Sequence, residues 1–347
     1  MSLPKSREGR LGVPWPSIQE KQMEELDGST RKGQPNMSKL TQKTGSSGSR
    51  VSAQETTERS ADAYPTRHLV VIGDSSRMDL VAPDSVHLVV TSPPYFDARD
   101  YAVSNQIGHG GSLDGYLCGM EQVLRECFRV LRPGRKLCLN ISDLPLRGDN
   151  GVEWLPLGPL LLRLCLDVGF RLADRIIWDK TPKKGFHYGS LPYPPSPLIC
   201  DSMEYVYVLR RPGRPDYSYV RGAAKERSKL APREYQEYTK QIWSLRRVRL
   251  RDNIEGHIAP FPTELPLRCI RLYSFVGDVV LDPFAGSGTT GQAALMTERN
   301  SVMYEINPDY LGFIRGKVEG AAGLYTSATI QYVVGGQTDT VVVGGSV

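Results

Sequence analysis

The sequence predicts an α/β fold built on a mostly parallel sheet. Three observations carry this. Short apolar runs of strand length alternate with longer runs of helical period. A glycine-rich turn follows one apolar strand and opens a helix at Gly286-Ser-Gly288. The chain has 347 residues, 40% of them hydrophobic, enough for one large core.

In chain order, residues 1–63 come first and differ from the rest. They hold ten Ser, six Gly and four Pro, but only seven residues from Leu, Ile, Val and Phe. Such a stretch cannot bury enough apolar area to offset its ordering entropy. It is expected to be a disordered basic arm. The next apolar run, His68 to Asp74, reads as a buried strand closed by Gly-Asp, and Val86 to Thr91 as a second. Leu113, Leu117, Met120, Leu124, Cys127 and Leu131 recur at helical spacing, with Asp114 near the start and Arg132-Pro133-Gly134 as the stop. Lys136 to Ile141 is a third strand, and Leu157 to Val168 a helix closed by Gly169. Leu172–Trp178 and Glu204–Leu209 are further strands. A helix fits Leu265 to Tyr273, then a strand Val279 to Asp282, a helix Thr289 to Met296, a strand Ser301 to Glu305 and a helix after Pro308.

Between Lys180 and Asp252 sixteen Lys and Arg face seven Asp and Glu, whereas the whole chain carries only +5. On charge alone this stretch reads as a solvated basic face, and it breaks the alternation of strands and helices. Residues 321–347 carry one charge, Asp339, and two Gly-Gly pairs around a Val run, so a hairpin or a frayed end is expected. No run of about 18 apolar residues exists, which excludes a helical membrane span. The N-terminus lacks the apolar segment of a secretory signal. The six Cys form no C-x-x-C pair and the five His no H-x-x-x-H pair, so neither a disulfide frame nor a metal site is expected.

Two motifs carry chemistry. In Asp282-Pro283-Phe284-Ala-Gly286-Ser287-Gly288-Thr289-Thr290-Gly291 the glycines let the backbone approach a ligand, and the helix N-terminus offers free N–H groups. The spacing fits G-x-G-x-x-G, so a dinucleotide site has to be considered. No Lys follows the glycines, which disfavours a phosphate-cradling loop. Glu305 ends the next strand, where a carboxylate can accept both ribose hydroxyls. Alone, this constellation specifies only a nucleoside-bearing cofactor. The second motif is Thr91-Ser92-Pro93-Pro94-Tyr95, at the end of a buried strand. The prolines fix φ and have no N–H to donate. A Ser92 hydroxyl, a proline carbonyl and a flat Tyr95 ring suit a planar base bearing an exocyclic NH₂.

TSPPY together with DPFAGSGTT resembles the DNA amino-methyltransferases, over about His68 to Val318. The target-amine motif precedes the cofactor motif with the basic segment between them, an order similar to the permuted β group of restriction–modification type. The resemblance implies a Rossmann-like S-adenosylmethionine (SAM)-dependent methyltransferase fold over residues 64–320. Its sheet is mostly parallel and seven-stranded, with circularly permuted motifs and a target-recognition insert at about 185–254. It implies cofactor contacts from Asp74, from Phe261-Pro262 and from Asp282 to Thr290, with Glu305. It places Trp178 and Lys180 beside the target base, and Ser92 to Tyr95 at the reacting amine. Arg246, Arg247, Arg249 and Arg251 become candidate contacts to double-stranded DNA.

In this family Ser-Pro-Pro-Tyr goes mainly with N4 of cytosine, and Asp- or Asn-Pro-Pro-Tyr with N6 of adenine. The segment Phe96-Asp-Ala-Arg-Asp-Tyr101 also resembles cytosine enzymes. The expected activity is N4-cytosine methylation of a specific DNA sequence by base flipping and direct displacement. The alternatives are N6-adenine methylation, an RNA or small-molecule methyltransferase, an inactive DNA-binding module, and an NAD-dependent oxidoreductase, which gives TSPPY no role. A cognate restriction endonuclease fits the resemblance, as does a prokaryotic cytoplasmic, nucleoid-associated location.

Overall fold

The computed structural model describes residues 64–96, 107, 111–148, 151–180, 202–246, 261–325 and 327–343. The expected N-terminal arm lies outside them. The described residues of 63–78 and 82–347 form one compact unit. Its elements run β1 (Thr66–Ile72), β2 (Val86–Thr91), α1 (Leu113–Val130), β3 (Leu131–Ile141), β4 (Leu144–Gly148), β5 (Gly151–Leu155), α2 (Leu157–Val168), β6 (Arg171–Asp179) and β7 (Met203–Arg210). Then follow α3 (Gly222–Arg227), α4 (Pro232–Tyr238), β8 (Ile242–Ser244), α5 (Glu264–Tyr273), β9 (Val279–Asp282), α6 (Thr289–Met296), β10 (Asn300–Glu305), α7 (Leu311–Tyr325), β11 (Ala328–Val334) and β12 (Gln337–Val343).

Ten strands join in the order β12-β11-β1-β10-β9-β2-β3-β7-β6-β8. Neighbours from β11 to β3 are parallel, and β7 is antiparallel to both β3 and β6. The run β1-β10-β9-β2-β3-β7-β6 is the expected seven-stranded sheet, and both edges extend beyond it. On one side β8 pairs with β6. On the other, the C-terminal hairpin β11–β12 pairs with β1. Of the two expectations for the tail, the hairpin holds. Gly335 and Gly336 both have positive φ (56° and 83°), as a tight two-residue turn requires. Ala328, Ile330 and Tyr332 alternate into the core.

The helices follow their sequence signals. Ser112 caps α1, its hydroxyl accepting the Gly115 N–H at 3.1 Å, with Asp114 in the first turn. Gly169 ends α2 in the left-handed conformation. Apolar faces of α5 and α6 (Leu265, Cys269, Ile270, Ala293, Ala294) pack on Leu88, Val90, Cys138, Val206 and Val280. Leu295, Ile314 and Val318 close a second cluster over Val70, Met303 and Ile330.

The crossover β9–α6–β10 leads to one side of the sheet and β2–α1–β3 to the other. Chain directions diverge between β9 and β2, and a ligand crevice opens there, beyond the carboxyl ends of the strands. The opposite end of the sheet is sealed by charge. Arg135 and Asp278 are buried, and Asp278 accepts from Tyr219 at 2.5 Å. Arg227 pairs with Glu298 there, and a cavity of about 570 Å³ is lined by Lys136, Tyr217 and Tyr273. Residues 211–238 therefore lie at the end opposite both motifs. This corrects the reading of 185–254 as one recognition insert. Its middle holds core strand β7 and this far-end cover. Residues 181–201 and 247–260 lie outside the described residues.

Candidate active site

The crevice is lined by strand ends in sheet order. Asp74 follows β1, Glu305 ends β10, and Asp282 ends β9. Ser92 follows β2, Asn140 is near the end of β3, Glu204 opens β7, and Lys180 follows β6. The strands bearing Asp74 and Ser92 are three steps apart, about 14 Å at about 4.8 Å per step. One half thus carries the cofactor candidates and the other half the target-base candidates.

Asp282 joins the halves. Its carboxylate is buried and accepts from Thr91 Oγ1 (2.8 Å), Thr290 Oγ1 (2.5 Å) and the Phe284 N–H (3.1 Å). Burial pushes its pKa up to about 6, against the pull of these donors. Expected as a cofactor contact, its side chain is instead engaged in fixing the two motif loops. The glycine loop has no room for side chains where it turns. Gly288 has φ +84°, and a Cβ there would lie 3.2 Å from Ile314 Cα. A Cβ on Gly291 would overlap the Met303 thioether, so this glycine seats α6 on β10. Pro283, Ser287 and Thr289 are buried beside it, and Phe284 and Gly286 are half-buried. Lys317 of α7 donates to Ser287 Oγ (2.6 Å) and Thr289 Oγ1 (3.0 Å), bracing the loop with a cation that its local sequence lacks.

Glu305 accepts the Gly286 N–H on Oε2 (2.8 Å) and the Asn307 N–H on Oε1 (2.9 Å). Burial raises its pKa to about 7. The Ile306 N–H also bears on this carboxylate, and its remaining acceptor capacity fits a nucleoside hydroxyl. Asp74 is exposed one strand away, holding Ser76 through its N–H and Oγ, both at 2.8 Å. Phe261 packs against the core, and the Pro262 carbonyl accepts the Leu265 N–H. Thr263 beside them donates to Gln292 of α6, placing this element next to the glycine loop.

On the target side, Pro93 is buried while Ser92, Pro94 and Tyr95 are half-buried. The Pro94 carbonyl accepts from Tyr116 at 3.0 Å. Tyr95 donates to Glu204 at 3.1 Å. Trp178 departs from expectation. It is 3% exposed, sits in the core with Val206 and Trp243, and gives its indole N–H to the Leu245 carbonyl. It ties the chain after β8 to β6 rather than facing a base. Lys180 does reach the crevice, donating to Glu204 at 2.9 Å. Arg246 is exposed after β8; Arg247, Arg249 and Arg251 lie outside the described residues.

Sequence reading missed Glu204, Asn140 and Lys317. A polar Asn inside Leu137-Cys-Leu-Asn140-Ile was a readable signal, since a buried amide needs partners. Lys317 had none, because only the packing of α7 on α6 brings it to the loop. Among the described residues, no group of three or more His, Cys, Asp or Glu is placed to hold a metal ion, and no helix is long and apolar enough to cross a membrane.

Comparison with known proteins agrees with this geometry. The chain is 31% identical over 279 residues to the type II methyltransferase M.MjaI of Methanocaldococcus jannaschii, covering 73% of this chain and 91% of that protein. It is 27% identical to the DNA adenine methyltransferase YhdJ of Escherichia coli, covering 70% and 79%. Among solved structures it resembles TTHA0409, a putative DNA modification methylase from Thermus thermophilus complexed with S-adenosyl-L-methionine. The TM-score is 0.58 at 32% identity, over 75% of this chain and 99% of that one. The cytosine-N4-specific PvuII DNA methyltransferase shares the fold, with TM-score 0.52 at 20% identity, over 75% and 87%. A family model described as DNA methylase matches residues 86–315, and with its two motifs meeting at one crevice this chain belongs to the N6/N4 family of SAM-dependent DNA methyltransferases.

Proposed function

We propose that the enzyme methylates N4 of cytosine in double-stranded DNA. The observation that carries this reading is Ser92, a neutral hydroxyl at the head of Pro-Pro-Tyr, held beside the glycine loop through Thr91 and Asp282. An exocyclic amine has two hydrogens to place. The Ser92 hydroxyl takes one. A proline carbonyl of the motif takes the other; that of Pro94 also accepts from Tyr116 and keeps a second lone pair. These two bonds favour a more tetrahedral nitrogen and stabilise the positive charge that grows on it.

When bound, SAM supplies an electrophilic methyl group. Glu305, Asp74 and the loop from Pro283 to Thr290, with Phe261 and Pro262, hold and orient the cofactor. Most of the rate comes from this alignment. A base inside a duplex cannot reach the crevice and must flip out, at a cost of a few kcal/mol. Stacking on the half-buried Tyr95 ring returns about 1–3 kcal/mol. Lys180 lies at the same end. The chain after β8, beginning with Arg246, leaves from this end of the sheet and supplies DNA contacts.

Incubation with SAM and unmethylated DNA, digestion to nucleosides and mass spectrometry test the reading. N4-methylcytosine is expected. N6-methyladenine, the product that the likeness to YhdJ makes the second reading, would overturn the base assignment and leave the cofactor half intact.

A further inference from the structure

Glu204 lies outside both motifs and on a different strand from either, yet three side chains of the target half converge on it. Tyr95 donates to its Oε2 at 3.1 Å and Asn140 Nδ2 to the same oxygen at 2.6 Å. Lys180 donates to Oε1 at 2.9 Å. Asn140 Nδ2 also reaches Ser92 Oγ at 3.4 Å. The amide orientation is dictated, because its oxygen turned toward Glu204 would set two acceptors against each other. The group is assembled from four places: the turn after β2, strand β3, and the two ends where β6 and β7 meet, with Trp178 opposite Glu204 in register.

We infer that Glu204 is the positioning residue of the target-amine loop. Its carboxylate fixes the Tyr95 ring by the hydroxyl and, through Asn140, bears on the Ser92 oxygen. Lys180 balances its charge, so the group anchors rather than supplying net charge to the reacting nitrogen. An ion pair alone would need only Lys180. The engagement of Tyr95 and Asn140 on the other oxygen distinguishes an anchor from a plain salt bridge. The hydrogen bond to Glu204 holds the hydroxyl end of Tyr95, and the residue is not fully buried. This inference rests on the proposed reading of Tyr95 as the stacking ring.

A double-mutant cycle on the full-length enzyme tests it, with SAM affinity and single-turnover methylation of duplex DNA both measured. Glu204→Ala is expected to lower the methylation rate on the order of tenfold to a hundredfold, as small misplacements of reacting groups do, with SAM affinity unchanged. Tyr95→Phe, which removes only the hydroxyl, is expected to lower it less. Combined with Glu204→Ala it should add nothing further. Glu204→Gln, which keeps an acceptor, should retain more activity than the Ala variant. It also carries the cycle if the Ala variant does not fold. Additive losses for Tyr95→Phe and Glu204 substitution would overturn the anchoring role, as would a loss of SAM affinity equal to the loss of rate. Wild-type rate in Tyr95→Ala would instead overturn the stacking reading, which keeps the two failures apart.

Discussion

Thr91 and Asp282 stand 191 residues apart in sequence, and the Thr91 hydroxyl donates to Asp282 Oδ1 at 2.8 Å within the core. That bond crosses between the strands where the chain directions diverge. It sets the amine loop and the cofactor loop in one frame. With Thr290 on the other oxygen, a single buried carboxylate fixes the start of TSPPY and the start of α6. Permuting the order of the motifs in sequence leaves this joint intact, because it depends on strand neighbours and not on chain order.

Thr91→Val keeps the shape and removes the donor. A buried carboxylate losing one of three bonds should cost about 1–3 kcal/mol of stability. The stabilisation conferred by SAM should shrink as well, since the glycine loop loses its tie to β2. Thermal unfolding with and without SAM measures both. Unchanged melting and unchanged SAM protection would show that the bond does not set the loops.

Much of this frame was legible in the sequence, and the exceptions have physical reasons. The strand–turn–helix from Val279 to Met296 is marked by local chemistry: an apolar run, glycines that admit close approach, and threonines opening a helix. The joint between Thr91 and Asp282 has no local signal, because it arises only when β2 pairs with β9. Trp178 was assigned to the target base by the resemblance of the strand around it, which does not fix its side-chain direction; that side chain packs in the core with Val206 and Trp243. Residues 211–238 are rich in Arg and Tyr and read as a nucleic-acid surface. In the fold Arg211 pairs with Asp84 and Arg227 with Glu298 at the far end, where Tyr219 also donates to Asp278 and Glu234 pairs with Arg271. The hairpin β4–β5, in which Gly148 pairs with Gly151, was overlooked.

Glu305 gives SAM binding a pH dependence. Burial holds its carboxyl near 7 in the free protein. Ribose hydroxyls donating to the ionised form favour that form, so binding must expel a proton below about pH 7. Affinity is therefore expected to be level above pH 7 and to fall by up to about tenfold per unit below it. Calorimetric titration at several pH values in buffers of different ionisation heat measures the slope and the proton released. Glu305→Gln should bind more weakly at pH 8 and show a flat profile. A sloping profile in that variant would assign the proton to another group.

His68 gives folding stability a pH dependence of its own. It is 1% exposed, bonded to Ser301 Oγ at 2.7 Å and Thr66 Oγ1 at 2.9 Å, and burial lowers its pKa from 6.5 to about 3. The folded state holds the ring neutral, so its contribution is whole above pH 6.5 and is lost as pH falls from 6.5 toward 3. At about 1.4 kcal/mol per unit the loss is several kcal/mol. Asp282 and Glu305, whose values are raised, gain stability over part of the same range and mask it. His68→Gln isolates the term: urea unfolding at pH 7 and pH 5 should show a smaller acid loss in the variant than in the parent. Equal losses would place the proton uptake elsewhere.

The C-terminal hairpin should behave as core on one face and surface on the other. Tyr332 is 1% exposed, donates to Glu319 at 2.9 Å and lies under the Arg315 guanidinium at 4.1 Å from its ring. Ile330 and Ala328 beside it close the cluster over Val70 and Met303. Tyr332→Ala should cost about 3–5 kcal/mol, the range for truncating a buried aromatic. Val342, on the outer strand and 68% exposed, should tolerate Ala within about 0.5 kcal/mol. Both are read by urea unfolding at pH 7.5. Similar small costs at the two positions would mean that β11 adds no burial of its own to the β1 edge. A large cost at Tyr332 alone would show that the hairpin shares the core whose strand ends carry the glycine loop and Glu305.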